Sequence, residues 1–210
     1  MQDFVHLHVH THYSLLDGQA SVSRLVDKAM KDGMKGIAIT DHGNMFGIKE
    51  FINYVSKKNK GLAPEERFKP IVGCEMYVAR RGKDKREGKQ DLGGWHLIVL
   101  AKNEKGYHNL IKLVSRAWTE GYYMHPRTDR QDLEKYHEGL ICCSACLGGE
   151  VPKQITNGNI EAAEEAVQWY KSIFGEDYYL ELQLHKATVE RANHEAYELQ
   201  KVVNEKLLEL

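Results

Sequence analysis

The chain has 210 residues, 42% hydrophobic and 28% charged, with a formal charge of −1 at pH 7. That length supports one sizeable domain or two small ones. The even charge gives no global basic field to recruit nucleic acid, so such a contact must come from a local patch, a metal site or a neighbouring domain. No apolar run approaches membrane-spanning length and the N-terminus lacks a basic-then-apolar leader, so a cytoplasmic protein without a membrane partner is expected.

The first element is read as a strand over residues 4–10. Val5-His6-Leu7-His8-Val9-His10-Thr11-His12 sets four of the eleven histidines at alternate positions. Strand side chains point to opposite faces in turn, which would line the imidazoles on one face and pack Leu7 and Val9 on the other. Imidazoles at this spacing, followed by Asp17-Gly18, begin a metal site. Neutral imidazole is the commonest zinc ligand, and it suits manganese or iron when carboxylates complete the sphere. The bland alternative is a merely polar strand face.

A helix capped by Ser21 or Ser23 is predicted through residue 32, with Leu25, Val26, Ala29 and Met30 inward and Gly33 at its end. A strand over 36–40 delivers Thr40-Asp41-His42-Gly43-Asn44. A helix over 46–58 and a strand over 69–78 carrying Glu75 follow. The basic stretch 80–89 reads as a solvated loop or as a phosphate-contacting one. A strand over 95–101 carries His96 near its start, then a helix spans 105–120. Tyr122-Tyr123-Met124-His125-Pro126-Arg127 is an irregular link. A strand over 139–144 leads to Cys146, followed by helices over 151–156 and 160–174 and a strand over 178–184. The last helix begins near residue 190 and meets no stop signal before Leu210, so the chain is expected to have been cut inside a helix.

Strands alternating with helices predict a parallel sheet of βαβ units. No G-x-G-x-x-G follows the first strand, and no phosphate loop is present. The polar candidates fall where strands end, as on the active face of an α/β barrel. His96, at the start of its strand, does not obey that rule.

The candidate ligands are His8, His10, Asp17, His42, Glu75, His96 and Cys146. Mixed imidazole and carboxylate donors suit zinc, manganese or iron(II) in a cluster, and a carboxylate such as Glu75 can bridge two ions. Ions so placed bind phosphate oxygens, ionise a water and steady a leaving alkoxide, so the inferred chemistry is hydrolysis of phosphate esters. Each residue also has a plain reading. His42 can be a turn residue, or a ligand oriented by Asp41. Glu75 can be a strand-end carboxylate, His96 a cap after Gly93-Gly94, and Cys146 a small buried side chain. His6 is set aside as core or outer support, and His12, His108, His125, His137 and His194 as surface. The four cysteines read as thiols rather than bridges.

Three motifs, His8-Val9-His10-Thr11 with Ser14 and Asp17-Gly18, Ile39-Thr40-Asp41-His42-Gly43-Asn44, and Lys69-Pro70-Ile71-Val72-Gly73-Cys74-Glu75, resemble the polymerase and histidinol phosphatase (PHP) domain. Gly94-Trp95-His96, Cys146-Leu147-Gly148-Gly149-Glu150-Val151 and Tyr179-Leu180-Glu181-Leu182 are similar to the branch that opens bacterial DNA polymerase III α subunits. The resemblance implies a distorted (β/α)7 barrel with up to three divalent metals, manganese, zinc or iron, with magnesium possible. It maps the ligands onto the seven candidates, with Asp17, His42 and Glu75 as the catalytic set. It implies 3′→5′ proofreading exonuclease activity on the 3′ end of a DNA primer strand; on that reading, the basic 80–89 loop and Arg127 are expected to guide the strand. The implied partners are the polymerase domains of the parent chain and replisome subunits, including the sliding clamp. Two further family ligands, an Asp-x-His pair, are not present. One domain over 1–210, truncated before its last strand, is therefore expected. The alternatives are a metal-stabilised scaffold without hydrolysis and a free-standing PHP phosphatase.

Overall fold

The computed structural model describes residues 4–15, 17–189 and 195–210. Among these, the strands are β1 (Gly36–Ile39), β2 (Lys69–Val78), β3 (Trp95–Ala101), β4 (Arg127–Thr128), β5 (Leu140–Cys143) and β6 (Tyr178–Tyr179). They form one sheet in the order β1-β2-β3-β5-β6, with β4 beside β2. The helices are α1 (Val22–Lys31), α2 (Ile48–Lys58), α3 (Glu104–Thr119), α4 (Arg130–Tyr136), α5 (Glu150–Thr156), α6 (Ile160–Phe174) and α7 (Glu195–Leu207).

The sheet is mixed, not parallel. β3 runs antiparallel to both β2 and β5, whereas β1–β2, β2–β4 and β5–β6 are parallel. A parallel return needs a crossover, usually a helix. The link from β2 to β3 holds only a single 3-10 turn, Gly88–Asp91, so β3 comes straight back. This inversion explains His96. The start of β3 lies at the same end of the sheet as the ends of β1 and β2, where Tyr77 pairs with His96.

Alternation along the strands sorts the two faces. Cys74, Met76 and Val78 of β2, Leu97 and Val99 of β3, and Leu140 and Cys142 of β5 pack against Leu110, Leu113 and Ala117 of α3 and Tyr170 and Phe174 of α6. The opposite face carries Ala38, Ile98, Leu100 and Cys143, and the same parity puts Glu75 and Tyr77 on that side. α1 and α2 bury Val22, Val26, Phe51 and Val55 against Ile37 and Ile39.

Two expected strands are not strands over their full length. Residues 4–10 run extended beside β1 with only two main-chain rungs, Ala38 N–H to His6 O and Thr40 N–H to Val9 O. Three residues on one side thus span two on the other, which bends the segment at His8. Val9 N–H instead donates to Thr40 Oγ1 at 2.8 Å. Leu7 consequently stays exposed. β6 stops at Tyr179, because its partner β5 ends and the chain turns away at Ala145, a non-glycine residue at φ 61°. α2 starts two residues later than expected, since Asn44 Oδ1 accepts from Phe46 N–H and holds the turn open. β4 and α4 were not anticipated. Asp129 caps α4 by accepting from Asp132 N–H at 3.0 Å.

Candidate metal centre

Glu75 is the hub of the site. Its side chain is 1% exposed, and it is ringed by donors from four other segments. Oε2 lies 2.6 Å from His10 Nε2, 3.0 Å from His8 Nε2 and 3.4 Å from His42 Nδ1. Oε1 lies 2.8 Å from His96 Nδ1 and 3.6 Å from Cys146 Sγ. Asp17 closes the ring at the mouth, bonded to His10 Nδ1 and 3.7 Å from His42 Nε2. All seven candidate residues line one open cleft of about 490 Å³, together with Gln19, Gln183 and His185. Among the described residues, three overlapping groups can each hold an ion: His8, His10 and Glu75; His10, Asp17 and His42; and His42, Glu75 and His96.

Local structure fixes these side chains. Asp41 is buried and accepts from Thr11 N–H at 2.6 Å and Thr11 Oγ1 at 2.9 Å, stapling the histidine segment to the end of β1. His42 N–H donates to Ser14 Oγ at 3.1 Å. A Cβ on Gly18 would sit 1.9 Å from Thr11 O, so only glycine lets the loop bring Asp17 this close. A Cβ on Gly148 would stand 2.9 Å from the His96 ring, whose main-chain N–H donates to Gly148 O.

The electrostatics are those of a cation site. Burial alone would raise the Glu75 carboxyl, but the imidazoles of His10, His8 and His96 beside it hold it well below the usual carboxylate range. Burial opposes a charge on His8, yet Glu181 and Glu75 raise it to about 10. Burial, with His10 and His96 nearby, lowers His42 to about 4 against the pull of Glu75 and Asp17. Burial and Glu75 push the Cys146 thiol to about 12. The buried carboxylate thus favours a charge on His8, whereas burial keeps His42 neutral.

His10 Nε2 and His42 Nδ1 are buried without a hydrogen-bond partner. The first is only 2.6 Å from Glu75 Oε2, so the atoms approach without the alignment a hydrogen bond needs. Buried donor atoms without a hydrogen-bond partner are available to a cation. The donor set of imidazole, carboxylate and thiol fits zinc, manganese or iron(II).

Several expectations are corrected. Asp41 orients Thr11, not His42. Arg127 cannot guide a strand: it is fully buried, and its guanidinium donates to the carbonyls of Gly121, Asp91, Lys83 and Lys85. Much of the basic 80–89 stretch is likewise engaged internally. Arg81 pairs with Asp91 and Glu87, and Lys83 with Asp132. His6 is exposed rather than core; His12, His108, His125 and His137, read as surface residues, are exposed, while His194 lies outside the described residues. His125 nevertheless packs on Tyr77, whose ring stacks on His42. All four cysteines are free thiols.

Sequence reasoning missed Glu181, Gln183 and His185. Glu181 Oε1 lies 2.7 Å from His8 Nδ1. The signal was present, because Glu181-x-Gln183-x-His185 has the same alternate spacing as His8-x-His10. It was overlooked because the segment was read only as the last strand.

Comparison with known proteins agrees with this geometry. The PHP domain family profile matches residues 6–185. The chain is similar to DNA polymerase III subunit alpha of Borreliella burgdorferi, 50% identical over 87% of this chain and 15% of that one. The counterpart in Treponema pallidum is 46% identical over the same shares, and that in Aquifex aeolicus is 41% identical over 99% and 18%. The chain therefore spans less than a fifth of the length of these relatives. A solved structure from Bifidobacterium adolescentis, named for metal-dependent phosphoesterase activity, is 19% identical with a TM-score of 0.38 over 56% of this chain and 34% of its own, too low to carry an argument. On the profile match and these identities, the chain belongs to the PHP domain family.

Proposed function

We propose that the cleft is a multinuclear metal centre that hydrolyses phosphodiesters at the 3′ end of DNA, as the proofreading module of a replicative polymerase α chain. The convergence of His8, His10, Asp17, His42, His96 and Cys146 on the buried Glu75 carries this reading. The relatives' name supports the setting, a longer DNA-directed polymerase with its own polymerase domains, acting with replisome subunits such as the sliding clamp. The mixed sheet fits the greater part of a distorted (β/α)7 barrel, with residues 1–210 as one domain. Free thiols fit the cytoplasm, where disulfides are rare. Among the described residues, no helix is long and apolar enough to cross a membrane.

Up to three divalent ions, manganese, zinc, iron or magnesium, would supply Lewis acidity and an ionised water when bound. The seven residues would hold them, with Glu75 shared between groups. His42 is kept neutral by its surroundings and so offers a free lone pair. Asp17, half-exposed at the mouth, would hold His10 through Nδ1 and border the opening by which water enters. Tyr77 stacks on His42 and meets His96 edge-on, fixing both rings.

The test is digestion of 3′-recessed and single-stranded DNA with manganese, comparing the wild type with His10→Ala. Trimming by the wild type alone supports the reading. Ion binding without cleavage favours the metal-stabilised scaffold, and preference for a small phosphate monoester favours a phosphatase.

A further inference from the structure

The geometry points to Glu181 as the positioning residue that fixes the tautomer and ring orientation of His8 from outside the ligand set. The inference rests on the metal reading of the cleft.

His8 uses both ring nitrogens. Nε2 faces the ion position, 3.0 Å from Glu75 Oε2. Nδ1 faces the other way, 2.7 Å from Glu181 Oε1. A carboxylate behind a metal-bound imidazole takes the remaining ring proton, leaving the lone pair on the nitrogen that faces the ion. With the proton on Nδ1, Nε2 is free to ligate, and His8 cannot rotate without losing its partner.

Glu181 is itself held from two sides besides His8. Its main-chain N–H donates to Ser144 Oγ at 2.8 Å, which ties it to the end of β5. The Gln183 amide donates to Glu181 Oε1 at 2.6 Å. The same amide lies 3.1 Å from His8 Nδ1. Nδ1 cannot both donate to Glu181 and accept from Gln183, and the shorter contact to a carboxylate decides that it donates. Oε1 of Glu181 is thus shared by two donors, which places this carboxylate behind His8 rather than on an ion.

The segment explains why this carboxylate is needed. The bend at His8 leaves it with no regular ladder to β1, so the strand frame does not hold the ring. Glu181 comes from the far edge of the sheet, beyond β6, and closes against His8. The pair therefore joins the first segment of the domain to the last part of its sheet.

The experiment compares wild type, Glu181→Ala and Glu181→Gln in the 210-residue chain. Manganese affinity is read by the electron paramagnetic signal of free ion, His8 by its ring-nitrogen resonances with zinc bound, and folding by the melting temperature without metal. Glu181→Ala should weaken manganese binding by about 10- to 100-fold, the range for lost outer-sphere partners. The Nδ1-protonated signature of His8 should disappear, with a fall in metal-free melting temperature too small to account for the lost affinity. Glu181→Gln keeps an acceptor oxygen and should recover most of the affinity and the His8 signature. Unchanged affinity and His8 resonances in Glu181→Ala would overturn the inference. So would a loss explained by a matching fall in metal-free stability, or a loss in Glu181→Gln as large as in Glu181→Ala. Absence of binding in the wild type would overturn the metal reading itself, and this inference with it.

Discussion

Two buried polar clusters lie in this domain, and they differ in whether they are complete. Each guanidinium nitrogen of Arg127 finds an oxygen. The guanidinium reaches four main-chain carbonyls, and Asp91 beside it accepts from Arg81 and from Glu87 N–H. Around Glu75 the count does not close. Four imidazoles and a thiol crowd one carboxylate, and two ring nitrogens remain without a hydrogen bond. A buried polar cluster that satisfies itself reads as structural, whereas one that leaves ring nitrogens unpaired is where we propose a cation. Charge and burial alone would not separate the two.

The largest expected effect comes from breaking the complete cluster. Arg127→Ala leaves four carbonyls without their donor and should destabilise the fold by about 3 kcal/mol or more, measured by urea unfolding. Manganese affinity of the protein that remains folded should not change. Completing the incomplete cluster should stabilise it. Manganese at a hundred times its dissociation constant should add about 2.7 kcal/mol. Glu75→Gln should remove that gain, read as the manganese-dependent rise in melting temperature.

A smaller effect lies at the edge of the cleft. Trp118 Nε1–H donates to Gly43 O at 2.8 Å, next to His42. Trp118→Phe keeps most of the ring and should cost about 1 kcal/mol by thermal melting. The smallest effect is electrostatic. Arg81 holds the Asp91 carboxyl at about 2, against the upward push of burial. Because the folded value lies below that of an unfolded carboxylate, about 3.9, the pair's contribution is present above about pH 4 and fades as pH falls toward 2. Asp91→Asn should flatten the fall of stability across that window, checked by urea midpoints at stepped pH.

Much of this was legible from residue type and spacing. β2 and β3 lie at the limits expected from the sequence, because each is a run of mostly apolar residues bounded by polar or glycine-bearing stretches. The seven ligand candidates line one cleft, with His42, His96 and Cys146 near strand ends, Glu75 within β2, and His8, His10 and Asp17 on the first segment and its loop. Strand direction was not legible. A loop without a helix inverts β3, and periodicity is blind to direction, which is why His96 looked misplaced. Nor was the partnering of Arg127 legible, since a basic residue in an aromatic link reads the same whether its carbonyl partners lie nearby in sequence or far away. Glu181 needed the fold as well, because its link to His8 spans almost the whole chain.

The most direct test of the central claim is a manganese titration of the metal-free chain, counting ions bound in the wild type and in His10→Ala. His10 belongs to two of the three ligand groups. The wild type should take up about two to three ions, the range for a multinuclear hydrolytic centre. His10→Ala should lose at least one of them without unfolding. A wild type that binds no ion, or a variant that binds as many, would contradict the reading of the Glu75 cluster as a metal centre.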